Sequence, residues 1–451
     1  MNIGNKQIFL LEYAKKYLRK IESSKIQSHL SSLCYLNSWD KAPGYAKLNL
    51  RLNGWLYLFN FFGILIKNIL SIASHSNYIK FNNKKLDNNF DILVVSWSFK
   101  KNFKLDGSFD DKYFNENSKN LPHSHWFLIS MDDYVPQNLN NNITIIKQKK
   151  RVFKYDFFTF FWTILKIIIN CKFSPRRIFH NLYYTSYFAQ KISSIIKKEL
   201  KKANYKTILL PYEAQPFQNT LIFEAKNLNN KITTIGYLHS LLSPLPCDYI
   251  YRSGAPDFLL VHGKSQIEIL KSKLNWPKNK LFLIESLRYQ LNKNRSLSKK
   301  IFLSYSNLNK SILIKLFTKL LINLPVNSLP KFEVQNHPAM LSSKEHLNLK
   351  IKLEKIMDIY KDRFLNTSSN GNISIFFGAT AAIFEALEKG IDVIHICSHP
   401  IFESFSEKIW PDLKVVQLNE FTFSYKLALS GKYINFGKEK KSLNEVLKTI
   451  I

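Results

Sequence analysis

Beyond residue 90 the chain alternates short aliphatic runs with longer amphipathic stretches. DILVVSWSF (91–99), HWFLISM (125–131) and NITIIKQ (142–148) read as strands, and helical periodicity fills 153–171 and 184–203. KTILLPY, ITTIGYL, DFLLVHG and KLFLIES follow as further strands separated by helices or loops. After the polar break LNKNRSLSKK (291–300) the rhythm restarts with KIFLSYS, KFEVQN, NISIFFG, IDVIHIC and LKVVQL, with helices over about 309–323, 344–360 and 380–389. Short aliphatic strands alternating with helices imply a parallel sheet covered on both faces. The pattern therefore predicts an α/β protein with two Rossmann-like doubly wound domains facing across a cleft. A helical, basic N-terminal extension (1–88) precedes a first domain (89–290), a linker (291–299), a second domain (300–425) and a C-terminal helical tail (426–451). In such folds ligands lie beyond the carboxyl ends of the strands.

Two segments are apolar almost all round: WLYLFNFFGILIKNILSIA (55–73) and FKYDFFTFFWTILKIIINC (153–171). Asn60, Lys67 and Asn68 interrupt the first, and Lys154, Asp156 and Lys166 the second, so neither is a clean span of about 20 residues. They read either as buried helices or as aromatic, lysine-flanked helices in a lipid interface. The start, MNIGNKQIFLLEYAKKYLRK, is an amphipathic basic helix rather than a signal peptide.

Charge sharpens this picture. The 451 residues carry 65 basic against 33 acidic side chains, a formal +32. Nearly all the basic residues are lysine, with nine arginines, and arginine is the residue that reads bases with a two-pronged fork. A specific nucleic-acid role is not expected; an anionic membrane surface or a phosphate-bearing ligand accounts for the charge. Cys34, Cys171, Cys247 and Cys397 are scattered with no CxxC pair, which fits a reducing cytosol.

The chain lacks a GxGxxG, a P-loop and an Asp-x-Asp triplet. Asp132–Asp133 and His123/His125 are close in sequence, but read as a solvated pair rather than a metal site. In LLPYEAQPFQNTL (209–221) a core strand stops at Pro211 and Glu213 follows, on the side where ligands lie. Glu213 is either an acid–base group whose pKa burial would raise or the cap of the helix beginning near Pro216. His239, after ITTIGYL, competes as the base. Arg288, past the strand end LIE, is placed to meet a phosphate or a sugar carboxylate, or to form a structural ion pair. In VQNHPAM, His337 leaves a strand end just before Pro338 and is placed to donate to a phosphate, or serves solubility. In FFGATAAIFEALEKG the small turn Gly378–Ala379–Thr380 opens a helix and suits close approach of an anion. Glu385 follows as a ribose-hydroxyl contact or a solvated residue.

Taken together, YEAQPF followed by IGYLHS, ESLRY at 285–289, the HP pair, and the small-residue turn before FEALEKGIDVI make the chain resemble a known group over about 91–420. It is similar to bacterial surface-carbohydrate (capsule and O-antigen) biosynthesis proteins of GT-B glycosyltransferase type, relatives of the sialyl- and Kdo-transferases. The resemblance implies that His337, Pro338 and Thr380 hold a nucleotide phosphate. The chain departs from the pattern in having Ala379–Thr380 for a serine pair, Gln335 or Asn336 for a lysine near HP, and only LDG (105–107) for the acidic-acidic-Gly motif. It further implies inverting transfer, without metal or cofactor, from a nucleotide-sugar donor, a CMP-activated acidic sugar being favoured. The acceptor would be a glycan or a polyprenyl-phosphate-linked chain, and the enzyme cytoplasmic and peripheral on the inner membrane face. The alternative is a non-catalytic carbohydrate-assembly protein with the same fold.

Overall fold

The computed structural model describes the chain except residues 1, 24–42, 55–57, 75–77, 83–89, 149–156, 171–177, 179–181, 290–295, 305–308, 338–339, 342, 365–371, 438–442 and 449–451. The first ten strands in chain order are β1 (Tyr78–Asn82), β2 (Ile92–Ser98), β3 (Asp110–Asp111), β4 (Glu116–Asn117), β5 (Ser124–Ser130), β6 (Ile143–Gln148), β7 (Thr207–Pro211), β8 (Thr233–Tyr237), β9 (Phe258–Val261) and β10 (Leu281–Leu283). Eight of them form one sheet in the order β1-β6-β5-β2-β7-β8-β9-β10, and β3 pairs with β4 apart from it. All pairs in the large sheet are parallel except β1 with β6. The central strands are buried on both faces, as their unbroken aliphatic runs require. From β2 the chain first winds outward through β5 and β6, then returns to continue through β7. The winding direction thus reverses between β2 and β7, the kind of position where doubly wound sheets hold ligands.

The second sheet consists of β11 (Lys300–Leu303), β12 (Glu333–Gln335), β13 (Ile373–Phe377), β14 (Asp392–Ile396), β15 (Leu413–Asn419) and β16 (Thr422–Leu427), in the order β12-β11-β13-β14-β16-β15. Its first four strands are parallel. LKVVQL, expected as one more strand of the winding, instead turns back on β16 as an antiparallel hairpin at the sheet edge. The exposed polar side chains of Lys414 and Gln417 on β15 suit an edge that must not recruit another strand, although Val416 and Leu418 are exposed beside them.

Two details fill in the expected organisation. The helical N-terminal segment is present and packs into the body of the protein. The helix Ile3–Ser23 buries Leu10, Leu11, Ala14 and Leu18 in a core shared with residues of both units. Gln7 Nε2 donates to Ile401 O at 2.9 Å and to Ser404 O at 2.7 Å, while Glu22 accepts from Ser253 N at 2.7 Å. The same span also supplies β1, a strand of the first sheet. The C-terminal tail is likewise a strap. Its helix Leu443–Lys448 returns to the first unit, where Leu443, Val446 and Leu447 pack with Val94, Leu209 and Ile235.

Residues 432–435 lie along the carboxyl edge of the first sheet. Ser265 N donates to Lys432 O at 3.0 Å, Asn435 N to His262 O at 2.7 Å, and Ser286 N to Asn435 O at 2.7 Å. Beside them, Trp410 of the segment between β14 and β15 stacks on Phe384 at 4.8 Å and donates from Nε1 to Pro244 O at 3.1 Å. Pro244 follows β8, so loops at the carboxyl ends of the two sheets meet here. Gly263 is what permits the approach: a Cβ there would sit 2.6 Å from the carbonyl carbon of Tyr433 and 2.9 Å from Lys432 O. Both are backbone atoms that cannot rotate aside. Gly263→Ala is therefore expected to destabilise the protein by about 1–3 kcal/mol, the usual cost of forcing atoms into a packed site. Urea unfolding of the two proteins would measure it.

Candidate active site

The register of the first sheet brings distant residues into a row. Pro211 of β7 pairs with Tyr237 of β8, and Tyr237 with Leu260 of β9. Glu213 and His239 each lie two residues beyond paired positions, and His262 lies two beyond Leu260. The three therefore follow neighbouring strands at one level, with about 5 Å between strands. Glu213 Oε1 is 3.2 Å from His239 Nε2, and Glu213 Oε2 accepts from Gln215 Nε2 at 2.6 Å.

Glu213 does not cap the helix that follows. Gln215 is the N-cap of the helix Pro216–Leu228, and Gln218 Oε1 accepts the N–H groups of Glu213 (2.9 Å) and Gln215 (3.1 Å) while its Nε2 donates to Pro211 O at 2.6 Å. Gln218 thereby closes the strand-to-helix turn and leaves the Glu213 carboxylate free to reach the next strand's loop. The turn passes through Ala214 at φ 53°, a left-handed backbone costing a non-glycine residue roughly 1–2 kcal/mol. Asn219 Nδ2 holds it by donating to Ala214 O at 3.2 Å, and Tyr212 Oη in turn donates to Asn219 Oδ1. Strain held by side-chain bonds is common where a group must be aimed.

The electrostatics differ from the expectation that burial would raise the Glu213 pKa. Burial is the largest influence and does push it up, but the His239 hydrogen bond and charge, Gln215 and the Arg288 charge outweigh it. The carboxyl group is held below its ordinary range and is ionised near neutrality. Burial pulls His239 down, against the pull of Glu213, and Arg288 lowers it further. The pair is a carboxylate beside a neutral imidazole whose Nε2–H donates to it. The Glu213 side chain is 29% exposed and His239 only 3%. Glu213 is thus the member open to solvent, and His239 backs it.

Arg288 is half-buried, its N–H at 3.3 Å from Tyr237 Oη and its guanidinium 5.7 Å from the Tyr289 ring centre. Among the described residues no carboxylate lies within ion-pair distance of it. The structural ion pair weighed for it is therefore not formed there. His262 packs against Tyr237 and Tyr289, and Gln266 Nε2 lies 3.5 Å from its Nδ1, while its buried Nε2 has no partner among the described residues. Burial, then the charges of His239 and Arg288, lower its pKa to about 3.

Sequence reasoning missed the layer behind this row. The Tyr113 ring meets His239 edge-on at 4.6 Å. Asp111 Oδ1 accepts from the N–H groups of Tyr113 and Phe114, both at 2.7 Å, and Asp111 Oδ2 accepts from Ser96 Oγ in β2. An acid in the FDDKYF segment (109–114) carries no signal that it will be buried.

The second sheet separates residues expected to act together. His337 follows β12, whereas Gly378, Ala379 and Thr380 follow β13, and β11 lies between the two strands. Two strand spacings put these positions roughly 10 Å apart. Pro338 lies outside the described residues. Gly378, at φ 70°, accepts at its carbonyl from His395 Nε2 at 2.9 Å, and Tyr425 Oη lies 3.0 Å from His395 Nδ1. These bonds fix the turn. Thr380 Oγ1 accepts from Ala382 N at 3.3 Å, a local cap on the short helix Ala382–Glu388. Glu385 is buried and paired with Lys389 at 3.1 Å, so it is neither solvated nor open to a ribose here. Among the described residues no three His, Cys, Asp or Glu side chains cluster as a metal set. His125 is held in the core by Tyr205 and Thr144, and Asp132 accepts from Lys100 N.

No family model matches the chain, and no curated protein does. Among solved structures, the N-terminal domain of trehalose-6-phosphate phosphatase from Candida albicans is similar at 10% identity, over 68% of this chain and 82% of that one, with a TM-score of 0.32. A glycosyltransferase from Rickettsia africae ESF-5 is similar at 13% identity, over 69% and 79%, with a TM-score of 0.31. Scores this low tie the chain to neither protein's activity.

Asp111 offers a test of the layer behind the row. Burial pushes its pKa up to about 6 from an ordinary 3.8, against the hydrogen bonds from Ser96, Phe114 and Tyr113. An acid held protonated in the folded state contributes most below its unfolded value and loses that contribution as pH rises through about 6. The loss is on the order of 3 kcal/mol. Asp111→Asn cannot ionise, so the stability of the natural protein relative to this variant should fall between about pH 4 and pH 7. Denaturant titrations at several pH values would read it; a pH-independent difference would contradict this account.

Proposed function

We propose that this protein is a glycosyltransferase, moving a sugar from a nucleotide donor to a surface-glycan or lipid-linked acceptor. The observation that carries the reading is the Glu213–His239 pair at the carboxyl edge of the first sheet, with Arg288, which has no carboxylate partner among the described residues, in the same electrostatic neighbourhood. Glycosyl transfer needs a group that takes the proton from an acceptor hydroxyl and a cation that meets the charge on the departing phosphate. Glu213 fits the first task and Arg288 the second.

In the step envisaged, the acceptor oxygen attacks the anomeric carbon from the side opposite the phosphate, and its proton passes to Glu213. The anomeric C–O bond breaks, the electron pair leaves on the phosphate oxygen, and the configuration inverts. A carboxylate held below its ordinary pKa is a weak base for an alcohol. The acceptor O–H becomes strongly acidic as its oxygen bonds to carbon, so transfer to such a base is downhill late in the step. His239 is a positioning residue: its Nε2–H fixes Oε1 and keeps Glu213 ionised.

The donor lies, in this reading, against the second unit, its phosphate near Gly378, Ala379 and Thr380. His337 then contacts the nucleotide at a distance from that turn rather than sharing one oxygen with it. A CMP-linked acidic sugar remains the favoured donor, because Arg288 suits a sugar carboxylate as well as a phosphate. A thermal-shift comparison of CMP, UDP, GDP and CDP tests this through ligand linkage. Stabilisation by CMP alone is expected, and a response to another nucleotide alone would replace the donor. A non-catalytic assembly protein would release no nucleotide from any of the matching sugars.

The base assignment makes its own prediction. Glu213→Gln should lower kcat by about a hundredfold or more with little change in donor KM. Because Glu213 is held below its ordinary 4.5, the acid limb of kcat should lie below that pH. His239→Ala removes the hydrogen bond that lowers this pKa, so it should move the limb upward. A limb that stays fixed in the His239 variant would remove Glu213 from the role.

A further inference from the structure

The helices Leu58–Ser74 and Phe157–Asn170 lie side by side; the first packs onto the helix Tyr184–Leu200, and Ile164 of the second packs against the cluster that Ile72 forms with Tyr187 of that helix. In the first, Ile64, Asn68 and Ile72 face inward; Asn68 Oδ1 accepts from Tyr184 N at 3.1 Å. The opposite side carries Phe59, Phe62, Ile66 and Leu70, all exposed, Phe59 by 88%. Their spacing of three and four residues is one helical stripe. The second helix repeats the pattern with Phe158, Phe161, Trp162 and Ile169, Phe158 being 78% exposed. A helix apolar on both sides has one side left to cover.

Charge identifies the cover. Neither helix contains an acidic residue, and the basic residue of each, Lys67 and Lys166, is exposed beside its stripe. Lys166 Nζ sits 5.5 Å from the Trp162 ring centre, with its stem along the apolar surface and its ammonium at the margin. Lys191 on the supporting helix lies close enough for Lys166 to lower its pKa, after burial. A water-soluble protein partner for such a face would have to bring its own acidic rim, whereas an anionic bilayer supplies apolar depth and negative headgroups together. Among the described residues no helix is long and apolar enough to cross a membrane.

We propose that these two helices form a monotopic docking face that lies in the headgroup layer of an anionic bilayer. Aromatic and aliphatic side chains enter the acyl boundary, and Lys67 and Lys166 pair with lipid phosphates at its edge. This inference does not rest on the catalytic reading; each can fail without the other.

The full-length protein is tested by co-flotation with phosphatidylcholine vesicles, with and without phosphatidylglycerol. Affinity should be at least about tenfold higher with the anionic lipid and should fall as salt screens the headgroups. Phe158→Ser with Trp162→Ser should weaken binding about tenfold or more, with an unchanged circular-dichroism spectrum. Lys67→Glu with Lys166→Glu should abolish the preference for phosphatidylglycerol. The proposal is overturned by equal binding to both vesicle types, or by binding that survives both double substitutions. It is also overturned if the protein dimerises in vesicle-free solution and Phe158→Ser with Trp162→Ser dissolves the dimer, because a second copy then covers the face.

Discussion

The backbone of residues 432–435 lies directly on the turn at Gly263, and the join between the carboxyl edges of the two sheets depends on that contact. The strap hydrogen-bonds to His262, Ser265 and Ser286. Glu388, at the end of the helix after the Gly378 turn, accepts from Tyr433 N at 2.7 Å and Ile434 N at 3.2 Å. One extended segment therefore joins the first sheet's carboxyl edge to the helix that follows the Gly378 turn of the second sheet. Phe384, Phe405, Trp410 and Tyr433 fill the space beside it, with ring centres 4.4 to 5.7 Å apart. Close-packed aromatic contacts of this kind resist sliding, because a small displacement loses many atom contacts at once. The Ile3–Ser23 helix adds a second tie through Gln7. The two units are consequently positioned by backbone geometry rather than by a flexible hinge at the strap.

Two glutamates near helix starts show how the surroundings, not the residue type, decide what an acid can do. Glu213 precedes its helix, where Gln218 satisfies the turn's N–H groups and His239 arrives from the adjacent strand. It ends ionised and partly open to solvent. Glu385 lies within its helix, one turn from Lys389, and both side chains are largely covered. Its charge is neutralised locally, and it offers little to a ligand. In sequence the two looked similar, as acids shortly after a strand end.

What the sequence made legible follows from periodicity. Continuous aliphatic runs gave the parallel strands, and small or proline-containing turns gave their carboxyl ends, so the side of the sheet on which Glu213, His239, Arg288 and Gly378 lie could be read directly. Strand order could not. YIKFN is short and runs into the polar stretch FNNKKLDNNF, which hides β1, and LKVVQL looks the same whether it continues a winding or turns back in a hairpin. The distance between His337 and Thr380 hangs on β12 being an edge strand, a fact of topology with no local trace. The Glu213–His239 contact joins loops 26 positions apart in number, yet its ingredients were visible: LLPYE and IGYLH place acid and imidazole at equal offsets past their strands. Register turns that equality into proximity. Asp111 and Tyr113 had no such marker, because burial of a loop acid depends on what packs over it.

The outer helices and the candidate base are linked by a rigid layer. Asn68 of the exposed-stripe helix is bonded to Tyr184, which begins the helix Tyr184–Leu200. Phe188, one turn on, packs edge-on to Phe217 at 5.7 Å, and Phe217 is the second residue of the helix whose entry turn carries Glu213. Trp97, at the end of β2, stacks on Phe188 at 6.2 Å and meets Phe217 at 5.2 Å, clamping the same point from the sheet. Such a layer transmits no signal by itself; it fixes a separation. An enzyme acting on a lipid-borne hydroxyl needs a set height between the headgroup plane and its base, since the acceptor's reach is limited by its own length. Side chains packed in single rotamers provide that height more reliably than a loop does, because compressing them costs contacts immediately. On the proposed function and docking, the aromatic residues between Asn68 and Glu213 would form that spacer.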